Sequence, residues 1–358
     1  MNNTSKADAA AILAGFDAIP PLDESSRSAA MRRVDILTKP LGALGRLETL
    51  AVHACAIQGT LRPKISEPVA IVFAGDHGVA DRGVSAYPRA VTGQMVKNFL
   101  AGGAAISVLA RLLGLELWIV DAGVDDDCGT HPRLISAKVR RGTRDFVAEP
   151  AMTMSECHEA LRRGKETIAR ATNEATNTVV FGEMGIGNTA SSALLMHRLT
   201  GLPLADCVGR GTGLDDAGVD RKRATLAAAS QRVAAVDALQ LLSEFGGYEI
   251  AMLVGALLAA AARRMLIIVD GFTVTVAAAI AARLNPRVLD YCVFGHCSAE
   301  LAHRALLGRL EVMPLLDLGM RLGEGTGAAM ALATVRAALA LFTEMATFEG
   351  AGVSEKVS

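Results

Sequence analysis

The segment with the most chemical content is Arg321-Leu322-Gly323-Glu324-Gly325-Thr326-Gly327, which runs straight into an apolar stretch. A glutamate between two glycines puts a carboxylate on a constrained backbone at the start of a helix. There it can take a proton from a reacting group. It can equally be an exposed acid favoured by the helix dipole. The motif alone leaves both open. A second turn, Gly182-Glu183-Met184-Gly185-Ile186-Gly187-Asn188-Thr189, joins a short apolar run to a helical pattern. Its glycines free backbone amides at a helix N-terminus, the arrangement that cradles phosphate. Asn188 or Thr189 either caps that helix or donates to the anion; a tight turn with an ordinary cap is the competing account. A third turn, Gly209-Arg210-Gly211-Thr212-Gly213-Leu214-Asp215-Asp216, precedes Arg221-Lys222-Arg223. Lys222 can neutralise a phosphate as a point charge, or it belongs to a solvated basic helix start.

Other candidates are weaker. Asp76-His77-Gly78 closes an apolar run and reads as an acid–base or metal pair, or as a hydrogen-bonded turn, which is preferred. Cys292, His296, Cys297 and His303 match no zinc spacing, and His158-Glu159 lacks the second histidine of a zinc-protease helix. No metal and no cofactor is expected. Gly185-x-Gly187-x-x-Ala190 fits a loose dinucleotide pattern, but no acidic residue closes a second strand about 20 residues on.

The elements that must carry these turns follow from the apolar pattern. Val69–Ala74, Leu115–Val120, Thr178–Phe181 and Met265–Val269 are continuous apolar runs ending in Gly or Asp, as strands buried on both faces require. Helical spacing falls between them, over Gly93–Leu113, Met154–Ala171, Asn188–Leu199 and Tyr248–Arg264, and Thr153 with Glu156 forms a capping box. Alternation of this kind predicts an α/β fold: a mostly parallel, Rossmann-like sheet flanked by helices, with ligands at the carboxyl ends of its strands. Residues Met1 to about Leu61 are helical in pattern, with a break at Ile19–Leu22 and a helical stretch over Leu37–Ile57. Ala328 to about Met345 is one more apolar helix. A small helical domain over 1–65 with 331–358, beside a catalytic domain over 66–330, is the expected division.

The composition excludes several classes. Of 358 residues, 51% are hydrophobic but only 4% aromatic, and the net charge is −1. No basic tract points to nucleic acid. The N-terminus has no charged start followed by an apolar core, so no signal peptide is expected. The longest greasy stretch, Ile250–Ala262, falls short of the roughly 20 residues of a membrane span. Six scattered cysteines without a CxxC pair read as reduced thiols of a cytoplasmic protein.

Taken together and in order, the motifs resemble the nicotinate-nucleotide–dimethylbenzimidazole phosphoribosyltransferases over almost the whole chain. The resemblance begins at Lys39–Glu48 and continues through Gly75–Val79, Val91-Thr92, Gly182–Thr189 and Asp270–Phe272. It closes with Ser298–Glu300 and Arg321–Gly327. It implies transfer of a ribose phosphate from nicotinate mononucleotide to 5,6-dimethylbenzimidazole, giving α-ribazole 5′-phosphate and nicotinate, by a homodimer. It also implies that Glu324 is the catalytic base and that Glu183, Gly185, Asn188, Thr189, Gly211 and Lys222 hold phosphate and ribose. The base pocket it implies lies at Tyr87, Met95, Met184 and Leu322. Tyr87 departs from the smaller polar residue of some members, which bears on the preferred base. The alternatives from the motifs are an NAD-dependent oxidoreductase and a non-catalytic nucleotide-binding protein.

Overall fold

The computed structural model describes residues 14–234 and 237–354. The parts of the terminal expectations that fall on 1–13 and 355–358 lie outside the described residues. Six parallel strands form one sheet: β1 Val69–Gly75, β2 Glu116–Gly123, β3 Leu134–Ser136, β4 Thr178–Met184, β5 Leu266–Val269 and β6 Cys292–Phe294. Their order is β3-β2-β1-β4-β5-β6. Ile71 of β1 pairs with Trp118 of β2 on one side and Phe181 of β4 on the other. Every residue of β1 is buried, so both faces of the sheet are covered. The order reverses between β1 and β4, and a crevice outside the carboxyl ends at such a point is where open α/β sheets take ligands.

The four long apolar runs are strands, with three of their eight ends as expected and the others shifted by one to three residues. β3 and β6 are additional and have only three residues each. The greasy stretch at 250–262 lies in the buried helix Tyr248–Ala262, which packs across the helix Met154–Ala171. Their backbones touch because each helix brings a glycine to the crossing: a Cβ on Gly164 would sit 2.0 Å from the Met252 carbonyl oxygen, and one on Gly255 2.0 Å from that of Leu161. The capping box at Thr153 and Glu156 is present at the start of Met154–Ala171.

Two expected helices are corrected. Gly93–Leu113 is two helices, Val91–Ala101 and Ala105–Leu113, because Gly102 at φ +82° ends the first. Leu37–Ile57 is helical only from Arg46, since Pro40 and the left-handed Gly42 and Gly45 hold residues 37–45 in turns. By composition, Val91–Leu113 and Thr326–Glu344 are long and apolar enough to cross a membrane. The first is broken at Gly102, and the second packs against β4, β5 and the helix Arg46–Gln58. The far end of Thr326–Glu344 meets the N-terminal region: the Arg33 guanidinium donates to the Phe342 carbonyl at 3.0 Å, and Leu37 bridges Thr347.

Candidate active site

Strand ends build the site. β4 runs into the turn Gly185–Gly187, β5 hands over to Asp270 and Gly271, and β6 leads to His296 and Ser298. The loops at 209–213 and 321–323 close the remaining side. Between them lies a cavity open to solvent, lined among others by Glu183, Asn188, Thr189, Gly211, His296 and Arg321.

Glu324 stands beside this cavity, 5% exposed, so it is not the solvated acid that its motif left open. Its φ is +66°, between Gly323 at +83° and Gly325 at +90°. A non-glycine residue there carries strain of about 1–3 kcal/mol, which the surroundings must hold. Three contacts do so. Its N–H donates to the Glu183 carbonyl at 3.2 Å. Its Oε2 accepts the Ile106 N–H, at the start of the helix Ala105–Leu113, at 3.4 Å. Gly182 lets the 324–325 peptide lie directly on β4: a Cβ there would be 2.4 Å from the Glu324 carbonyl. Burial raises the Glu324 carboxyl above its ordinary range, the Ile106 N–H opposes the rise, and the charge of Asp270 adds to it.

Asp270 is 1% exposed. Its Oδ2 accepts the Gly325 N–H at 3.0 Å and its Oδ1 the Ala328 N–H at 2.9 Å. It therefore caps the helix Thr326–Glu344, whose own N-cap residue, Gly325, has no side chain to do so. His296 Nε2 is 3.6 Å from Asp270 Oδ1, and neither imidazole nitrogen has a hydrogen bond. Gly327 makes room for that ring: a Cβ there would fall 2.0 Å from His296 Cδ2. Nearby His303 accepts the Ser298 N–H at Nδ1, which leaves Nε2 to donate to Thr275 Oγ1; burial pushes its imidazole down to about 3.

Glu183 accepts a hydrogen bond from the Asn188 side-chain amide. Burial, then the charges of Asp270 and Glu249, push its carboxyl up to about 8. Neither Asn188 nor Thr189 caps the helix Asn188–Thr200; Gly187, at φ +98°, takes the N-cap position. Asn188 is used on Glu183 instead. Lys222 is fully buried, so it is not part of a solvated helix start. Its Nζ donates to Thr189 Oγ1 at 3.0 Å and to the Gly209 carbonyl at 3.3 Å. Burial lowers the Lys222 amine to about 8, against the pull of Glu300. Glu300 accepts the Gly211 N–H on both oxygens, at 3.3 and 3.2 Å, and so fixes the third turn. Buried beneath the site, His77 is hydrogen-bonded to Glu249.

Of the residues expected from sequence, Glu183, Gly185, Asn188, Thr189, Gly211, Met184 and Leu322 line the cavity. Lys222 reaches it through Thr189. Tyr87 is 55% exposed, and its loop is tied to the cavity wall by Ser85 Oγ, 3.0 Å from Thr212 Oγ1. Met95 does not line the cavity and is half-buried on Val91–Ala101, a helix that meets the site through Thr92, whose Oγ1 accepts the Ile186 N–H at 3.1 Å. The motifs give no site role to Asp270, His296, Glu249 and Glu300. Their only signal is position just after an apolar run or inside a matched motif. The dinucleotide-like pattern follows the fourth strand, whereas such a fingerprint belongs in the first strand–helix turn.

A family model described as phosphoribosyltransferase matches residues 19–353. The nicotinate-nucleotide–dimethylbenzimidazole phosphoribosyltransferase of Cupriavidus taiwanensis is 56% identical over 340 residues, 95% of this chain and 98% of that protein. The enzyme of the same name from Dechloromonas aromatica is 54% identical over 338 residues, 93% and 97% of the two chains. The crystal structure of CobT from Thermus thermophilus matches with a TM-score of 0.90 at 42% identity, over 93% of this chain and 100% of that one.

Proposed function

The chain belongs to the nicotinate-nucleotide–dimethylbenzimidazole phosphoribosyltransferase family, and on that premise we propose that Glu324 is its catalytic base and that the transfer inverts the anomeric carbon. The protein is a phosphoribosyltransferase: it moves ribose phosphate from nicotinate mononucleotide to 5,6-dimethylbenzimidazole, yielding α-ribazole 5′-phosphate and nicotinate. One benzimidazole nitrogen bonds to C1′ from the face opposite the departing ring. The C1′–N bond breaks, and its electron pair returns to the pyridinium nitrogen, so nicotinate leaves without needing a proton. The other benzimidazole nitrogen gives its proton to the Glu324 carboxylate. Opposite-face displacement turns a β substrate into an α product (compare inverting glycosidases).

The observation that carries this reading is a buried carboxylate held in a left-handed backbone beside the cavity, raised toward the working pH by burial and Asp270. A base so tuned contributes roughly 100- to 10,000-fold. Lys222, Thr189 and the amide of Gly185 hold the phosphate beside Gly211, whose own N–H is held by Glu300; Glu183 and Asn188 hold the ribose. Met184, Leu322, Tyr87 and Met95 flank the incoming base, Tyr87 from the mouth. Much of the remaining rate comes from holding two flat rings and the ribose in line.

A homodimer is part of the proposal, supported by the exposed Val108 and Leu112 one turn apart on Ala105–Leu113; light scattering tests it. A cytoplasmic location without a membrane span is also part of it, supported by six free, buried cysteines and by the packing of the apolar helices. The division into a small helical domain, 1–65 with 331–358, and a catalytic domain, 66–330, is supported by the contacts of Arg33 and Leu37 with the chain end.

The test is incubation with nicotinate mononucleotide and dimethylbenzimidazole, with the product's mass and anomeric configuration read by NMR, for wild type and Glu324→Gln. An α product, with turnover in the variant lower by about 100-fold or more, is expected. A β product or full activity of E324Q overturns it.

A further inference from the structure

We propose that Asp270 is a positioning residue for the transfer, fixing Glu324 in place by accepting the Gly325 and Ala328 N–H groups, with His296 as its partner. The inference rests on the reading of Glu324 as base and adds to it the group that aims that base.

The geometry is non-local. A carboxylate at the end of β5 binds the peptide that immediately follows Glu324, through Gly325 N–H at 3.0 Å. Its second oxygen takes Ala328 N–H at 2.9 Å, so rotation of the carboxylate is blocked and the start of Thr326–Glu344 is pinned at two points. The Glu324 backbone is therefore held from both sides: its own N–H by the Glu183 carbonyl, and the next N–H by Asp270. A residue at φ +66° without such clamps relaxes toward the β or right-handed regions and carries its side chain away from the cavity.

An ordinary cap needs neither this burial nor a histidine. Asp270 is 1% exposed, and an isolated buried carboxylate is strongly disfavoured. His296, 2% exposed, stands 3.6 Å away with both ring nitrogens free of hydrogen bonds, and it lines the cavity. Among the described residues it is the only basic side chain within 4.0 Å of Asp270. The other titratable groups that feel the charge of Asp270 are acidic: Glu183 from β4 and Glu324 from the glycine turn. Burial raises the Asp270 carboxyl, and His296 and the Gly325 and Ala328 N–H groups oppose that rise. In its ionised form Asp270 repels the ionised form of Glu324 while holding its backbone still, which strengthens the base without moving it.

The experiment is Asp270→Asn, measured beside Glu324→Gln and wild type. Asparagine keeps one acceptor but presents an NH₂ to the other N–H. The expected result is a kcat lower by about 100-fold, the scale of a misplaced catalytic group. KM for nicotinate mononucleotide stays within about threefold of wild type, because the phosphate grip is untouched. The acid limb of the kcat–pH profile moves to lower pH, since the repulsion on Glu324 is gone. A variant with wild-type kcat and acid limb overturns the proposal. So does a lowered kcat with an unmoved limb, the signature of a purely structural cap, or a change in KM alone. If D270N does not fold, His296→Gln is read instead. It leaves both capping bonds in place and removes only the group that favours the ionised Asp270, so a kcat near wild type with the acid limb moved to lower pH is expected; an unmoved limb overturns the proposal. Should E324Q keep full turnover, the reading of Glu324 fails first. A slow E324Q beside an unaffected D270N removes only the role given to Asp270.

Discussion

The backbone N–H of Glu324 donates to the carbonyl of Glu183 at 3.2 Å, so two of the carboxylate-bearing residues of the site share one main-chain hydrogen bond. The end of β4 and the start of Thr326–Glu344 therefore move as one piece. The proposed proton acceptor and the carboxylate proposed to bind ribose keep a fixed separation.

Gly182 lies under that bond. A Cβ would meet the Glu324 carbonyl carbon and the Gly325 nitrogen at 2.4 Å, both backbone atoms with nowhere to turn. Gly182→Ala is expected to cost about 1–3 kcal/mol of stability by overpacking and to lower kcat by about 100-fold. Urea unfolding with steady-state kinetics checks both, and a wild-type kcat would show that the backbone position of Glu324 does not matter.

In the proposed role Glu324 accepts a proton only when ionised, and its carboxyl is raised above the ordinary 4.5 by burial and Asp270. Activity must therefore rise with pH through that raised value. The acid limb of kcat/KM, which reports the free enzyme, is expected above 4.5. A limb at or below it would contradict the burial of the group.

Glu183 is pushed up to about 8 in the folded protein, against 4.5 for the free side chain. Between these values the folded state binds more protons than the unfolded one. Its contribution to stability is thus complete below 4.5 and lost as pH rises through about 8. Thermal unfolding from pH 5 to pH 9 is expected to show a steeper fall of Tm for wild type than for Glu183→Gln. Parallel curves would mean that Glu183 ionises freely.

Lys222 brings a fully buried amine to the Thr189 wall of the cavity, and hydrogen bonds to charged groups contribute roughly 1.5–3 kcal/mol. Lys222→Met is expected to raise KM for nicotinate mononucleotide by about 10- to 100-fold and to leave nicotinate riboside, which has no phosphate, almost unaffected. In wild type, KM should climb above about pH 8, where the amine loses its proton. Equal losses on both substrates would remove Lys222 from the phosphate site.

Tyr87 lies exposed on a loop tied to Thr212 of the cavity wall and is proposed to flank the incoming base. Tyr87→Ser is expected to change the ratio of kcat/KM between dimethylbenzimidazole and adenine by about tenfold, the scale of altered apolar pocket contacts. KM for the mononucleotide should not move. An unchanged ratio would take the residue out of base selection.

What was legible in the sequence follows from what is local. β1, β2, β4 and β5 announce themselves as unbroken apolar runs because both faces are buried. β3 and β6 do not, since three residues carry no period. The break at Gly102 hides inside a pattern whose two halves share the same helical spacing. Glu324 is conspicuous because glycine on either side is a local signature of an unusual backbone. Asp270 and His296 are silent for the opposite reason. Their partners, Gly325, Ala328 and Gly327, belong to another element brought over by the sheet. Lys222 reads as one of three basic residues, and only folding buries it while Arg221 stays in water.

The left-handed backbone at residue 324 has an outcome for anyone who breeds this protein for toughness. Glycine relieves such a conformation by on the order of 1 kcal/mol, so the glutamate is a spot where robustness and chemistry pull apart. A lineage picked only for surviving heat is free to drift to glycine there. On the role proposed for Glu324, its end product is a hardier shell that still captures the mononucleotide and turns it over far more slowly.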